Sequence, residues 1–166
     1  MTMIVLVLAS LVLLSLTILF FTFRKNQSRL NQKVHRRFEE LINEHDYKVD
    51  TSESFNKKKI ALDSMNQKLL FLDMSKKTEF FHVLDLRQLS FCHVVMPGNN
   101  NGNYISSISL ECILSDKSTT MFPFYEASQD SLSDIKLLAE KASFWRKKIN
   151  NHRYNHNFNN SNEYVP

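Results

Sequence analysis

The sequence predicts an α+β protein: an N-terminal transmembrane helix, a curled sheet or barrel of six or seven antiparallel strands, and a C-terminal covering helix. Three observations predict this fold. An uncharged apolar segment begins the 166-residue chain, short apolar runs separated by turn residues fill its middle, and a helical apolar stripe follows. The length suffices for one domain beside an anchor and is too small for two ordinary domains.

The first 23 residues are predicted to be a transmembrane anchor. They carry no charge, and the only polar side chains of Met3–Phe23 are two Ser and two Thr. As a helix these residues would span about 31 Å, which matches a hydrocarbon core of about 30 Å. A cleaved signal peptide would need a basic start, a shorter apolar core and a small-residue cleavage site. The segment meets none of these needs, so we expect it to be retained.

The residues that follow predict the orientation of the anchor. No acidic residue lies in positions 24–37, which carry a membrane-facing basic cluster of Arg24, Lys25, Arg29, Lys33, Arg36 and Arg37. Because Lys and Arg beside a membrane segment stay in the cytoplasm, we expect a single-pass protein of the cell membrane with its N-terminus outside and its C-terminal domain cytoplasmic. Two Cys are too few for a disulfide framework and agree with a reducing compartment.

Residues 24–45 are predicted to form a basic juxtamembrane amphipathic helix. Its apolar stripe has helical spacing and consists of Leu30, Val34, Phe38, Leu41 and Ile42. A polar helix with a single stripe packs either on its own domain or on a partner.

Residues 46–150 are predicted to form a β-rich domain with a C-terminal helix. The six clear strands are Lys59–Asp63, Lys68–Met74, Phe80–Leu84, Leu89–Met96, Tyr104–Ser115 and Ser118–Tyr125, and Tyr47–Phe55 is a candidate edge strand. The closing helix follows N-cap oxygens at Ser128–Ser131. Ile135, Trp145 and Ile149 project to one side of it and are predicted to be structural. The Asn-rich residues 151–166 are predicted to be a disordered tail.

This order of hairpins, closed by a helix that bears Trp145, resembles the pleckstrin-homology-like domain, in particular small bacterial domains of that type on a membrane anchor. The resemblance covers about Lys57 to Asn150. It implies a seven-stranded barrel with a scaffold or protein-binding role. Phosphoinositide binding is not implied, because only Lys59 and Lys68 flank the first predicted hairpin turn. An unrelated α+β sheet with one covering helix remains the alternative fold.

The charge distribution argues against a nucleic-acid partner, although the isoelectric point is near 9.1. Residues 38–145 hold eleven basic and sixteen acidic groups, so the excess positive charge lies in residues 24–37 and 146–166. A nucleic-acid surface needs basic residues on the folded part. The run Lys57–Lys59 is predicted to be a solvated strand entrance.

No catalytic motif, metal site or cofactor site is predicted. Asp63, Asp73 and Asp85 lie at strand ends, where acid–base work is one interpretation and turn capping is the commoner one. Cys92 and Cys112 are expected near each other across a hairpin, as a disulfide or as two reduced thiols. His82 and His93 lie on strands. His152 and His156 in the tail have metal-like spacing only if the tail is helical, and no carboxylate or thiol completes a site. The aromatic set of Phe80, Phe81, Phe91, Phe122, Phe124, Tyr125 and Trp145 is predicted to be core.

Three functions are consistent with this sequence. The favoured hypothesis is a non-enzymatic interaction or scaffold module, held by the lipid bilayer at the cytoplasmic face and available to another membrane or cytoplasmic protein. The second is a module that senses anionic lipid headgroups through its basic segment. The third is an enzyme whose site a single sequence does not reveal. The oligomeric state is not predicted.

Overall fold

A computed structural model describes residues 14, 15, 17, 18, 29, 31–98 and 104–162, with side chains to residue 152. The predicted anchor Met3–Phe23 lies outside these residues, except for four helical positions within it. There the Thr17 hydroxyl donates a hydrogen bond of 2.7 Å to the Leu14 carbonyl oxygen. Among the described residues, no helix is long and apolar enough to cross a membrane.

The described chain contains two long helices and seven strands. Helix α1 covers residues 31–45. The strands are β1 (Thr51–Phe55), β2 (Lys58–Asp63), β3 (Lys68–Asp73), β4 (Phe80–Asp85), β5 (Leu89–Val95), β6 (Ser107–Leu114) and β7 (Thr119–Glu126), and helix α2 is Ile135–Asn162. Short 3-10 turns lie at Leu86–Gln88 and Leu132–Asp134. The six predicted strands and the candidate edge strand are therefore confirmed, with end residues shifted slightly.

The strands form two antiparallel sheets. The first has the order β1-β2-β3-β4 and the second the order β5-β6-β7. Every neighbour in a sheet is also the next strand in sequence, so each sheet is a meander of hairpins. The predicted α+β class with antiparallel strands and a C-terminal helix is confirmed, and the strands are divided between two sheets.

Strands β2 and β3 are buried on both faces, which explains their nearly continuous apolar sequences. Helix α1 covers one face of the first sheet through Val34, Phe38 and Leu41, which pack on Ala61 and Leu70. The stripe of α1 therefore packs on its own domain, one of the two options that the sequence left open. The helix and the strands share one packed unit.

The opposite face of the first sheet meets the second sheet in a larger core. Phe55 of β1 stacks on Phe124 of β7 with ring centroids 4.5 Å apart, and Phe71 of β3 lies 5.3 Å from Phe122. Helix α2 packs against β5, β6 and β7 and adds Leu138, Ala142, Trp145 and Ile149 to this core. Ile135 is partly buried against the same cluster.

The tight turns between strands are specified by residues with positive φ. Asn56 and Lys57 connect β1 to β2 with φ of 40° and 63°. Two consecutive left-handed residues are the geometry that fits the twist of a two-residue hairpin. Gln67, with φ 54°, and Lys117, with φ 70°, occupy the turns before β3 and β7.

Three features differ from the sequence predictions. Helix α2 continues to Asn162, beyond its predicted end at Asn150; Asn is a weak helix former, but no Gly or Pro stops the helix there. Within the predicted solvated run, Lys58 is 0% exposed and Lys59 5%, because β2 is covered on both faces. Within the predicted aromatic core, Phe80 and Phe91 are 46% and 50% exposed, because each lies on an edge strand.

Candidate functional site

The carboxylates at the strand ends bind the turns beside them. Asp63 accepts hydrogen bonds from the Lys48 N–H at 2.8 Å and the Asn66 N–H at 2.9 Å. Burial raises the pKa of Asp63, but these bonds and the Asn66 side-chain bond outweigh it and lower the pKa overall. Asp73 accepts the Ser75 N–H at 2.8 Å. The turn-capping interpretation is confirmed for both residues.

Asp85 begins the 3-10 turn after β4 and joins two cations. It accepts bonds from the Arg87 Nε at 2.9 Å and the Lys68 Nζ at 2.7 Å. The Arg87 guanidinium is the main cause that holds the pKa of Asp85 far below its usual range, and Lys68 adds to it. Both cations also line a cavity of about 420 Å³ beside the end of α1, together with His45, Asp46, Tyr47, Met65, Asn66 and Gln67. Both cations are paired with Asp85, and the three groups together carry one net positive charge at this side of the cavity.

A buried ion pair joins β2 to the connection before α2. The Lys58 Nζ lies 3.4 Å from the Asp130 Oδ2, and their side chains are 0% and 5% exposed. Asp130 also accepts the Asn56 Nδ2 and the Glu126 N–H, both at 2.8 Å. This network ties the β1–β2 turn to the end of β7, and its connections identify a structural role.

Lys59 lies beneath α1. Its Nζ is 2.9 Å from the His35 Nδ1, 3.4 Å from the Glu39 Oε1 and 4.7 Å from the centre of the Phe38 ring. The ammonium therefore reaches polar partners at the rim while its stem stays covered.

Glu53 is an important residue that the sequence analysis missed. It lies on β1, accepts the Trp145 Nε1–H at 2.8 Å, and pairs with the Lys141 ammonium. A single Glu in a short strand gives no signal for this role, because its partners are about ninety residues away. Its two oxygens attach α2 to the edge of the first sheet.

Cys92 and Cys112 are directly opposite each other on β5 and β6, as predicted. Both are free thiols with 0% exposure, and their sulfurs are 3.4 Å apart. The Asn150 side chain donates to the Cys92 carbonyl at 2.8 Å and accepts its N–H at 3.2 Å. Because those backbone groups point away from β6, the two Cys form a non-hydrogen-bonded pair, in which side chains approach most closely.

We expect both thiols to be unreactive in the folded protein. The hydrogen bond with Cys92 and then burial raise the pKa of Cys112, and the thiolate is the reactive species. A maleimide added to the reduced native protein should label neither Cys within the time in which it labels both in urea, as read by intact mass. Rapid labelling of the native protein would contradict the burial of the pair.

The described members of the basic cluster divide into two groups. Arg29, Lys33 and Arg36 are exposed on the helix. Arg37 instead contacts the domain, with its Nε 2.9 Å from the Glu79 Oε1, and this pair raises its pKa. Arg24 and Lys25 lie outside the described residues.

Further basic residues lie at the same end of the molecule as the start of α1. Phe55, Lys58, Asp73 and Phe80 pair in one line across the first sheet, so the β1–β2 turn and the β3–β4 loop project from one end. The contact of Arg37 with Glu79 brings the first half of α1 there. We define the basic end as Lys33, Arg36, Lys57, Lys76 and Lys77.

The imidazoles of His82 and His93 have separate partners. His82 stacks on Phe80 with 5.9 Å between ring centroids, and burial lowers its pKa. His93 pairs with Glu111 at 2.7 Å. In the described part of the chain, no group of three His, Cys, Asp or Glu side chains has the arrangement of a metal site. No protein-family model, curated protein or solved structure matches this chain.

Proposed function

We propose that the protein is a single-pass membrane protein that holds a pleckstrin-homology-like domain at the cytoplasmic face as a non-enzymatic interaction or scaffold module. The observation that most supports this proposal is the uncharged segment Met3–Phe23, which is followed by six basic residues and no acidic one up to Arg37. Two antiparallel sheets with a packed C-terminal helix support the domain type. The role of such a domain would be to present its surface, since the charged side chains at its strand ends are engaged in turns and ion pairs.

The path of α1 supports a fixed position of this domain beside the bilayer. Because α1 packs directly on the first sheet, the chain that precedes it enters the domain at one end. The basic end is the part of the domain nearest that entry. The packing of α1 on the first sheet would hold the opposite end of the domain, with the β2–β3 turn, away from the membrane.

The anchor is tested by extraction of the full-length protein with alkaline carbonate. The protein should remain in the membrane pellet, because 21 apolar residues span the hydrocarbon core, whereas a variant lacking residues 3–23 should be released. Intact mass identifies the retained form. Release of the full-length protein, or a mature form that begins after residue 23, would contradict the anchor.

Binding of anionic headgroups is the second candidate function, and the basic end is the observation that favours it. Lys57 and Lys77 are exposed there and have no ion pair among the described residues. A protein lacking residues 1–23 should float with phosphatidylserine vesicles, and the Lys57→Gln/Lys77→Gln variant should float less, by about 1 kcal/mol for each lost cation. Equal flotation of both proteins, or no flotation at low salt, would contradict this function.

A further inference from the structure

Three of the four sheet edges carry a feature that obstructs pairing with another strand, as natural sheets commonly do. On β5, the Asn150 amide occupies the outward N–H and C=O of Cys92. On β7, Pro123 lacks an N–H, and Asp130 accepts the N–H of Glu126. The edge strand β1 is the shortest of the four, with five residues, and its exposed side chains, Ser52 and Ser54, are polar.

The fourth edge, β4, has none of these features. It contains no Pro, its pairing with β3 has no bulge, and its first charged residue is Asp85 at the end. Its side chains are also less covered than those of its neighbour: Phe80 is 46% exposed, whereas Leu70, Phe71 and Leu72 of β3 are 0% exposed. The strand is therefore both apolar and open along its outer side.

The hydrogen-bonding direction of β4 follows from one measured bond. The Leu86 N–H donates to the Gln67 carbonyl at 2.8 Å, which makes this a hydrogen-bonded pair. Because such pairs alternate along an antiparallel ladder, the N–H and C=O groups of Phe81, Val83 and Asp85 point away from β3. No backbone bond joins these outward groups to another element among the described residues.

The surroundings of the edge are net positive. Lys77 is exposed beside the start of β4, and the Arg87 side chain at its end is 62% exposed. Five cations border the edge against four carboxylates: Arg37, Lys68, Lys76, Lys77 and Arg87 against Glu40, Glu79, Asp85 and Glu126. A strand that lies along β4 would therefore be favoured by negative charge near its ends.

We propose that the open edge of β4 binds an extended apolar strand of another polypeptide whose ends carry acidic side chains. Main-chain hydrogen bonds to Phe81 and Val83 would provide affinity, and the exposed ring of Phe80 would contact side chains of the added strand. The inference rests on the proposed role as an interaction module and specifies the conformation and chemistry of its partner.

The test measures a fluorescent ten-residue peptide binding to the full-length protein in detergent, by anisotropy. The peptide alternates Val and Thr in its six central positions and carries two Glu at each end. Methylating the backbone nitrogens that would face β4 removes its donors and leaves the side chains unchanged. We expect this change to weaken binding at least about tenfold, as the loss of two or more hydrogen bonds predicts. Replacing the four Glu with Lys should also weaken binding.

A matched pair of protein variants tests the location. Val83→Pro removes an outward N–H that β3 does not use, and Pro is tolerated on such an edge. The control position on β1 follows from the same alternation. The Met74 N–H donates to the Lys57 carbonyl at 3.0 Å, and counting from this bond through β2 to β1 places the N–H and C=O of Ser54 on the outer side of β1. Val83→Pro should weaken binding about tenfold and Ser54→Pro by less than about twofold. The emission of Trp145 reports whether each variant is folded.

Each other outcome overturns the proposal. Equal binding of the methylated and unmethylated peptides would exclude strand addition without relying on any variant, and no binding of either peptide would do the same. An unchanged affinity of folded Val83→Pro would exclude β4. A dimer in sedimentation that Val83→Pro dissociates would assign the edge to a second copy of this chain. None of these results affects the carbonate extraction, which tests the anchor alone.

Discussion

Replacing Trp145 with Ala is expected to lower the free energy of unfolding by about 3–5 kcal/mol, the usual cost of removing a large buried aromatic side chain. Trp145 is 0% exposed and packs in the core with Leu138, Ala142 and Ile149. Its indole N–H also binds Glu53, whose carboxylate would lose that partner. Because a domain of this size has about 5–15 kcal/mol of stability in total, the variant should be near or beyond unfolding at 37 °C.

The measurement is urea unfolding of residues 29–162, followed by circular dichroism. This fragment retains α1, whose removal would expose Ala61 and Leu70 on the first sheet. Phe144→Ala is the matched control: it removes an aromatic side chain from the same helix, but Phe144 is 53% exposed, so the control should lose less than about 1 kcal/mol. A Trp145→Ala variant as stable as this control, or a solvent-like emission maximum for Trp145 in the unmodified fragment, would show that α2 does not close the core.

Replacing Asp130 with Ala is expected to have an effect of similar size. The change leaves the Lys58 ammonium buried without its carboxylate and removes the acceptor of the Glu126 N–H. It also leaves the Asn56 amide with its 3.2 Å bond to Asp134 in place of the two acceptors that it has now. Breaking one side of a buried ion pair typically costs about 3–5 kcal/mol, most of it from the uncompensated charge. Urea unfolding of the same fragment measures the loss.

A second substitution separates the buried charge from the other bonds of Asp130. Adding Lys58→Met to Asp130→Ala removes the unpaired ammonium and keeps an apolar stem of similar length. Because replacing both members of a buried pair is often close to neutral, the double variant should recover a large part of the lost stability. Lys58→Met alone should cost less than Asp130→Ala, since Asp130 retains two other donors. If the double variant is as unstable as Asp130→Ala, the charge of Lys58 is not the cause.

Periodicity along the chain located the seven strands and both long helices, but not the end of α2. Each apolar run between turn residues became a strand, because alternation and strand length are local properties. The stripe of Val34, Phe38 and Leu41 likewise identified the buried side of α1. The strand-end carboxylates Asp63 and Asp73 were predictable as turn caps, since each accepts an N–H from a residue two or three positions further along the chain.

The proximity of Cys92 and Cys112 could also be predicted, by counting outward from one hairpin loop. The type of pair that they form across the two strands could not be predicted, because it depends on which backbone groups face the neighbouring strand. The amide of Asn150, 58 residues from Cys92, identifies the pair type. The anchor and its orientation remain predictions from the sequence alone.

Tertiary structure alone decided which side chains of a strand are covered. Lys58 and Lys59 were predicted to be solvated, because Lys is rarely buried. However, β2 lies between α1 and the second sheet, and the two ammonium groups pair with carboxylates that are distant in sequence. Phe80 looked buried because Phe usually is, yet its strand is an edge. Glu53 had no local signal at all. A sequence pattern records the chemistry of each face, whereas the element that covers that face comes from elsewhere in the chain, and the free energy of burying a charge or a ring depends on that element.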